Sequence, residues 1–335
     1  MNEHAIETHE LTKRFDHTVA VNGVTLAIPT GEIFGLIGPD GAGKTTLIRL
    51  LSTVILPTSG DGRVLGMDIR REAEAIRASV GYMPQRFSLY GDLSVWENLN
   101  FFADIHGIRG RERTERIQQL LEFTRLDEFR SRRAQHLSGG MQKKLALACA
   151  LVHRPRVLFL DEPSTGVDPV SRREFWSILA DLLAEGVTIF VSTPYMDEAE
   201  RCSRVGLMYE GRLLAVETPD ELIRQVPGHL IDVYLMPDDH GRLPVRKARE
   251  LIQRIPGVLE VQTSGDQLRV FVKDTDTMIP RLQQALVDAH IPFSEIGPGR
   301  VRLEDAFIHT LIQVRETRTS SHPGAAAPSL EEKRP

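Results

Sequence analysis

The stretch Ile33–Leu51, IFGLIGPDGAGKTTLIRLL, decides the fold. IFGLI has the length and composition of a buried strand. The run GPDGAGKTT, Gly38 to Thr46, then meets the spacing G-x-x-x-x-G-K-[ST] and leads into the helical segment LIRLL. Gly38, Gly41 and Gly43 let the loop turn with its N–H groups inward, and a helix starting near Lys44 adds the positive end of its dipole. Together with Pro39, Asp40 and Ala42 this is a nest for polyphosphate. The pattern assigns Lys44 to β- and γ-phosphates, the Thr45 hydroxyl to Mg²⁺ and Thr46 to an α-phosphate oxygen.

Outward from this loop, Val24 to Val216 alternates apolar runs (IFGLIG, VLFLD, TIFVST, VGLMYEG) with helical patterns. That alternation predicts an α/β core, doubly wound on a mostly parallel sheet. VLFLDEP, Val157 to Pro163, reads as a buried parallel strand delivering two carboxylates at its C-terminal edge. Strand alternation sends Asp161 and Glu162 to opposite sides, so Asp161 is assigned to Mg²⁺ and Glu162 to the base that activates water. Charged, helix-periodic sequence over about 86–136 interrupts the strands and reads as an inserted helical subdomain.

These features place a nucleotide-binding domain over residues 1–226 and a smaller unit over 227–314. The second unit follows the order βαββαβ, an α+β ferredoxin-like arrangement closed by the short helix LEDAFIHTLIQ. Its histidines, His229, His240, His290 and His309, lack metal-ligand spacing. Residues 315–335, rich in Ser, Pro, Ala and charge, read as a disordered tail.

The 335 residues are 41% hydrophobic and carry a net charge of −5, with a pI near 6.1. The basic footprint of a nucleic-acid binder is missing, so no nucleic-acid partner is expected. Cys149 and Cys202 fall in segments that read as helices and are expected to pack as small hydrophobes in a reducing, cytoplasmic setting. The most apolar stretch, Leu145 to Leu160, is cut by His153, Arg154, Pro155 and Arg156, too charged to span a bilayer.

LSGGM, Leu137 to Met141, upstream of VLFLDEP, resembles the signature sequence of ABC ATPases, and the resemblance runs from about Ile6 to about Arg224. It implies ATP and Mg²⁺ as cofactors and a head-to-tail dimer in which Ser138, Gly139 and Gly140, at a helix start, close on the γ-phosphate held by the other subunit. Gln85 in GYMPQ resembles the glutamine loop that senses Mg²⁺ and attacking water. Phe15 in LTKRF resembles the aromatic that stacks on adenine; an edge-strand aromatic is the other reading. Asp168 in STGVDP resembles the residue that contacts the opposite subunit, or forms a simple Asp-Pro turn. LYGDLSVWENLNFFADIHG and LEDAFIHTL resemble segments of drug-export-type bacterial ABC ATPases. That implies export of drug-like or hydrophobic substrates, separate membrane-spanning permease subunits, and a peripheral place on the cytoplasmic face of the cell membrane.

One position departs from the family. Where these ATPases carry a histidine that contacts γ-phosphate, this chain has Pro194, in STPYMDEAE, which has no side-chain donor. Proline suits the first turn of a helix capped by Thr193, so the fold is expected to tolerate it. Two readings follow: an active transport ATPase, favoured by Glu162, or a weakened nucleotide-gated half of a heterodimeric pair, favoured by Pro194. A homodimer remains the alternative to a second, different ATPase subunit. A soluble ABC protein of translation or repair fits less well, with one nucleotide site, no long coiled coil and an acidic pI.

Overall fold

Two long strands, β1 (His4–Phe15) and β2 (Thr18–Pro29), pair antiparallel at the start of the chain, with register shifts along their length. This computed structural model describes residues 4–86, 88–238 and 241–321. After the hairpin come β3 (Ile33–Ile37), α1 (Lys44–Leu51), β4 (Ser59–Val64), β5 (Met67–Asp68), α2 (Ala73–Ser79) and β6 (Val80–Met83). Two helices, α3 (Val95–Ile105) and α4 (Gly110–Phe123), occupy the insertion read from the sequence, and α5 (Gly139–Leu151) leads back to the sheet. The α/β order resumes with β7 (Val157–Asp161), α6 (Pro169–Ala184), β8 (Thr188–Thr193), α7 (Met196–Ala199), β9 (Arg204–Tyr209) and β10 (Arg212–Glu217), followed by α8 (Pro219–Gln225).

A six-stranded sheet, ordered β10-β9-β3-β8-β7-β6, is parallel except for the edge strand β10. Its three central strands, β3, β8 and β7, are buried at every position, as parallel strands covered on both faces must be. Phe34, Phe159 and Phe190 are fully buried there, with ring centroids 5.3 Å and 5.9 Å apart for the two pairs made by Phe190. Truncating any of them to alanine is expected to cost about 3–5 kcal/mol. Because the three strands run the same way, their C-terminal ends share one edge, where ligands of open α/β sheets bind. A second sheet, β2-β1-β4-β5, is antiparallel and was not anticipated from the sequence.

In the insertion, α3 opens on a full capping box: Glu97 N–H donates to Ser94 Oγ, and Ser94 N–H to the Glu97 carboxylate. Arg116 of α4 donates to the carbonyls of Leu151 and Val152, satisfying the end of α5.

The chain divides into two units, Met1–Pro219 and Asp220–Pro335, so the boundary lies a few residues before the 226/227 junction expected. Leu222 and Val226, just past this boundary, are buried. The second unit contains β11 (His229–Leu235), α9 (Val245–Ile252), β12 (Val258–Ser264), β13 (Gln267–Val272), α10 (Thr275–Asp288), β14 (Phe293–Pro298) and α11 (Leu303–Ser321). Its antiparallel sheet has the order β12-β13-β11-β14. Ile231, Val233, Val270 and Val272 of the sheet pack with Ala248 and Ile252 of α9 and Leu282 and Leu286 of α10.

Two expectations are corrected. The tail assigned to 315–335 begins as helix, since α11 runs to Ser321 and no Gly or Pro interrupts it from 303 onward; 322–335 and His240 lie outside the described residues. Cys149 is in α5 as expected, but Cys202 lies in the turn after α7; both are buried and free. Among the described residues, no helix is long and apolar enough to cross a membrane.

Candidate functional site

At the C-terminal end of β3 the chain enters a glycine loop and leaves it as α1. Gly43, the N-cap of α1, has φ +106°, and a Cβ there would lie 2.1 Å from the Ala20 carbonyl oxygen, so only glycine fits. Gly38 is equally confined, its added Cβ falling 2.2 Å from Met208 O. The first N–H groups of α1 have no intrahelical acceptor, and no side chain caps them. They belong to a cavity of about 340 Å³ lined by Ala20, Asp40, Gly41, Ala42, Gly43, Lys44, Thr45, Thr46, Gln85 and Glu162. Lys44 is 4% exposed; its Nζ donates to the carbonyls of Gly38 (2.7 Å) and Pro39 (3.2 Å) and stands 3.5 Å from Glu162 Oε1. The loop thus holds a buried positive charge and uncapped N–H donors side by side, an arrangement suited to polyphosphate.

The two carboxylates arrive from β7. Asp161 Oδ1 accepts from Thr45 Oγ1 (3.0 Å) and Ser192 Oγ (2.8 Å), while the buried Oδ2 has no hydrogen-bond partner. Burial pushes the Asp161 pKa up, opposed by the hydrogen bonds from Ser192 and Thr45 and reinforced by the nearby Glu162 charge. A buried carboxylate with one oxygen unsatisfied, next to a threonine hydroxyl, suits a hard divalent cation such as Mg²⁺.

Glu162 lies one residue past the strand at φ +46°, a left-handed backbone that costs about 1–3 kcal/mol for a non-glycine residue. Its N–H is held by the carbonyl (3.2 Å) and hydroxyl (3.0 Å) of Ser192. This turn ends the strand alternation. The expectation of opposite sides therefore gives way to a common one: Asp161 bonds Thr45 while Glu162 faces Lys44, its neighbour at the start of α1.

Gln85, at the end of the segment following β6, donates from Nε2 to Glu162 Oε2 at 2.7 Å. Its carbonyl accepts from Lys143 Nζ of α5 at 2.8 Å. Burial lowers the Lys143 pKa, against the raising influence of the Asp161 and Glu162 charges. Lys143 and Ser192 were missed in the sequence: a lysine two residues past the signature and a serine inside TIFVST carry no spacing that marks them.

The remaining candidates do not line this cavity. Ser138 is the N-cap of α5, accepting from Met141 N–H at 3.3 Å, with Gly139 and Gly140 as its first residues. Asp168 is the exposed N-cap of α6, accepting from the N–H groups of Val170 and Ser171 at 3.0 Å each, which lower its pKa. Phe15 is 46% exposed at the end of β1, with Lys13 Nζ 5.0 Å from its ring centre; from the same hairpin Ala20, not Phe15, reaches the cavity. Pro194 stands before α7 rather than in its first turn, because the helix begins at Met196 with Tyr195 as N-cap. Thr193 does not cap the helix as expected. Its hydroxyl accepts from Tyr195 N–H (3.1 Å) and donates to Glu198 (2.6 Å).

The sequence model of the ABC transporter family matches residues 21–165. The probable multidrug ABC transporter ATP-binding protein YbhF of Escherichia coli (strain K12) is 48% identical over 223 residues, 67% of this chain. The chain spans only 39% of that relative's length. The Nod factor export ATP-binding protein I of Paraburkholderia xenovorans (strain LB400) is 40% identical over 85% of this chain and 91% of its own. The daunorubicin resistance ATP-binding protein DrrA3 of Streptomyces coeruleorubidus is 35% identical over 92% of this chain and 96% of its own. Among solved structures, the dimeric ATP-binding cassette MJ0796 in a post-hydrolysis state with ADP and Pi aligns with a TM-score of 0.59 at 25% identity, covering 64% of this chain and 98% of that one.

Proposed function

The chain belongs to the ABC transporter family as an ATP-binding ATPase subunit, and we propose that it hydrolyses Mg-ATP to drive export of drug-like or hydrophobic substrates through separate permease subunits. The observation that carries this reading is the convergence of Lys44, Thr45, Gln85 and Glu162 on one cavity, with Asp161 hydrogen-bonded to Thr45. The export direction is supported by the relatives, whose names specify multidrug transport, Nod factor export and daunorubicin resistance.

In this mechanism Lys44 turns from the Gly38 and Pro39 carbonyls to the β- and γ-phosphates, and the N–H groups at the start of α1 take the remaining charge. Thr45, Asp161 and Gln85 would hold Mg²⁺, which would neutralise charge developing on the phosphates. Glu162 accepts a proton from the attacking water as its oxygen bonds to the γ-phosphorus and the bond to the bridging oxygen breaks, leaving ADP and phosphate. Gln85 fixes one oxygen of that base and Ser192 fixes its backbone.

Ser138, Gly139, Gly140 and Asp168 serve a second subunit, which is supported by their place on the N-termini of α5 and α6, outside this chain's own cavity. Exposed Tyr90, Phe101 and Ile105, the first two in edge-to-face contact at 4.7 Å, form an apolar surface suited to a permease at the cytoplasmic face of the membrane. The second unit is read as a ferredoxin-like accessory domain, supported by its βαββαβ order and antiparallel sheet.

Pro194 supports a second reading, a weakened partner in a heterodimer. Phosphate release by the purified chain, with ATP and with or without Mg²⁺, tests the proposal. Slow, Mg²⁺-dependent release is expected, abolished by a chelator. Neither ATP binding nor release under any condition would contradict it.

A further inference from the structure

Glu198 of α7 is 1% exposed, and both of its carboxylate oxygens are engaged. Ser164 Oγ donates to Oε1 at 2.5 Å and Thr193 Oγ1 to Oε2 at 2.6 Å. Arg172, from α6, places Nε 3.8 Å from Oε1 and a terminal nitrogen 3.2 Å from Asp197, with its guanidinium 5.1 Å from the centre of the Tyr195 ring. Burying a carboxylate costs far more than burying an apolar side chain of that size, so packing alone does not account for it.

The two hydroxyls it receives come from the segments that carry the chemistry. Ser164 lies two residues past Glu162 in the turn that imposes the left-handed backbone on the base, and its carbonyl accepts from Val167 N–H at 3.1 Å. Thr193 follows Ser192, whose hydroxyl bonds Asp161 and whose carbonyl and hydroxyl both take the Glu162 N–H. Thr193 also precedes Pro194, the residue that replaces the family's histidine.

We propose that Glu198 is a positioning residue for ATP hydrolysis: its carboxylate staples the turn after Glu162 to the end of β8 and ties both, through Arg172, to the helix that Asp168 caps. The proposal rests on the reading of Glu162 as the base. None of the bonds that Glu198 makes involves the phosphate loop, so the staple acts on turnover and not on ATP affinity. Displacing a reacting group by about 1 Å costs on the order of 10²-fold in rate.

The test uses the full chain. Sites competent to bind are counted by titration with a fluorescent ATP analogue, and kcat per competent site and KM are measured for the parent, Glu198→Ala, Glu198→Gln and Glu162→Gln. Glu198→Ala is expected to lower kcat per competent site by about 10- to 100-fold with KM within about twofold of the parent. Glu198→Gln, which keeps one acceptor oxygen, recovers part of the loss. Should Glu198→Ala not fold, Ser164→Ala and Thr193→Ala each remove one donor and are read in the same way. Parental kcat per competent site in every folded variant, even with a lowered thermal midpoint, would overturn the staple. Parental hydrolysis in Glu162→Gln would instead overturn the base assignment on which it rests.

Discussion

Gln85 Nε2 donates to Glu162 Oε2 at 2.7 Å, so the residue leading into the helical insertion holds the carboxylate at the end of β7 across 77 positions of sequence. Lys143 donates to the Gln85 carbonyl from α5, the helix that Ser138 caps. Glu162, Gln85 and the helix that Ser138 caps are thereby joined by hydrogen bonds through the side chain and the carbonyl of Gln85.

Lys44→Ala removes the only cation lining the cavity among the described residues. ATP affinity or turnover is expected to fall by at least about 10²-fold, with the circular dichroism spectrum unchanged. Near-parental binding and turnover would contradict the phosphate-loop assignment.

Pro194→His restores the donor that the family places after β8. The structure shows why the proline is tolerated: it precedes α7 and leaves the Thr193–Glu198 bond intact. A positioned stabiliser of this kind is worth about 2.7–4 kcal/mol, roughly 10²–10³ in rate. The isolated parent is expected to hydrolyse slowly, the substituted chain faster, and a second ATPase to co-purify from membranes. Equal, brisk hydrolysis by both proteins with no second ATPase would favour a homodimer.

Ending the chain at Val226 is expected to leave ATP binding intact, because every residue of the cavity lies within Met1–Pro219. Isothermal titration of the shortened protein checks this. A folded product that has lost ATP would contradict the division into two units.

Acid is expected to destabilise the first unit through His153. Its ring stacks on His106 with centroids 3.8 Å apart, and burial, aided by the His106 and Arg116 charges against the Val80 carbonyl bond, pushes its pKa down to about 4. Unfolded histidine titrates near 6.5, so between about pH 6.5 and about pH 4 the unfolded chain binds more protons, and stability falls as pH falls. Burial lowers His106 in the same direction. The thermal midpoint should drop with acid less steeply in His153→Asn than in the parent; identical slopes would show that His153 does not carry the acid sensitivity.

The parallel core and the phosphate loop were legible because each is local: a five-residue apolar run, a fixed glycine spacing, a helix beginning at Lys44. The antiparallel sheet was not. β1 carries register shifts at Thr8/Leu11 and beyond, so its buried positions lose the two-residue period that marks a strand. The partners of the site residues were hidden for another reason. Ser192, Lys143 and Glu198 act through contacts 31, 58 and 34 positions away, to Asp161, Gln85 and Ser164, and no local pattern reports such pairs. The left-handed turn at Glu162 breaks the strand alternation that separates neighbouring side chains, and no residue in VLFLDEP marks that turn.

Glu162→Gln separates ATP binding from hydrolysis in this chain. The amide preserves size and hydrogen bonding with Gln85 but cannot take the proton of the attacking water. The measurement is phosphate release per bound ATP, alongside the mass of the nucleotide-bound assembly. Parental ATP affinity, no multiple turnover, and a stable ATP-bound dimer are expected. Turnover at the parental rate would show that another group is the base.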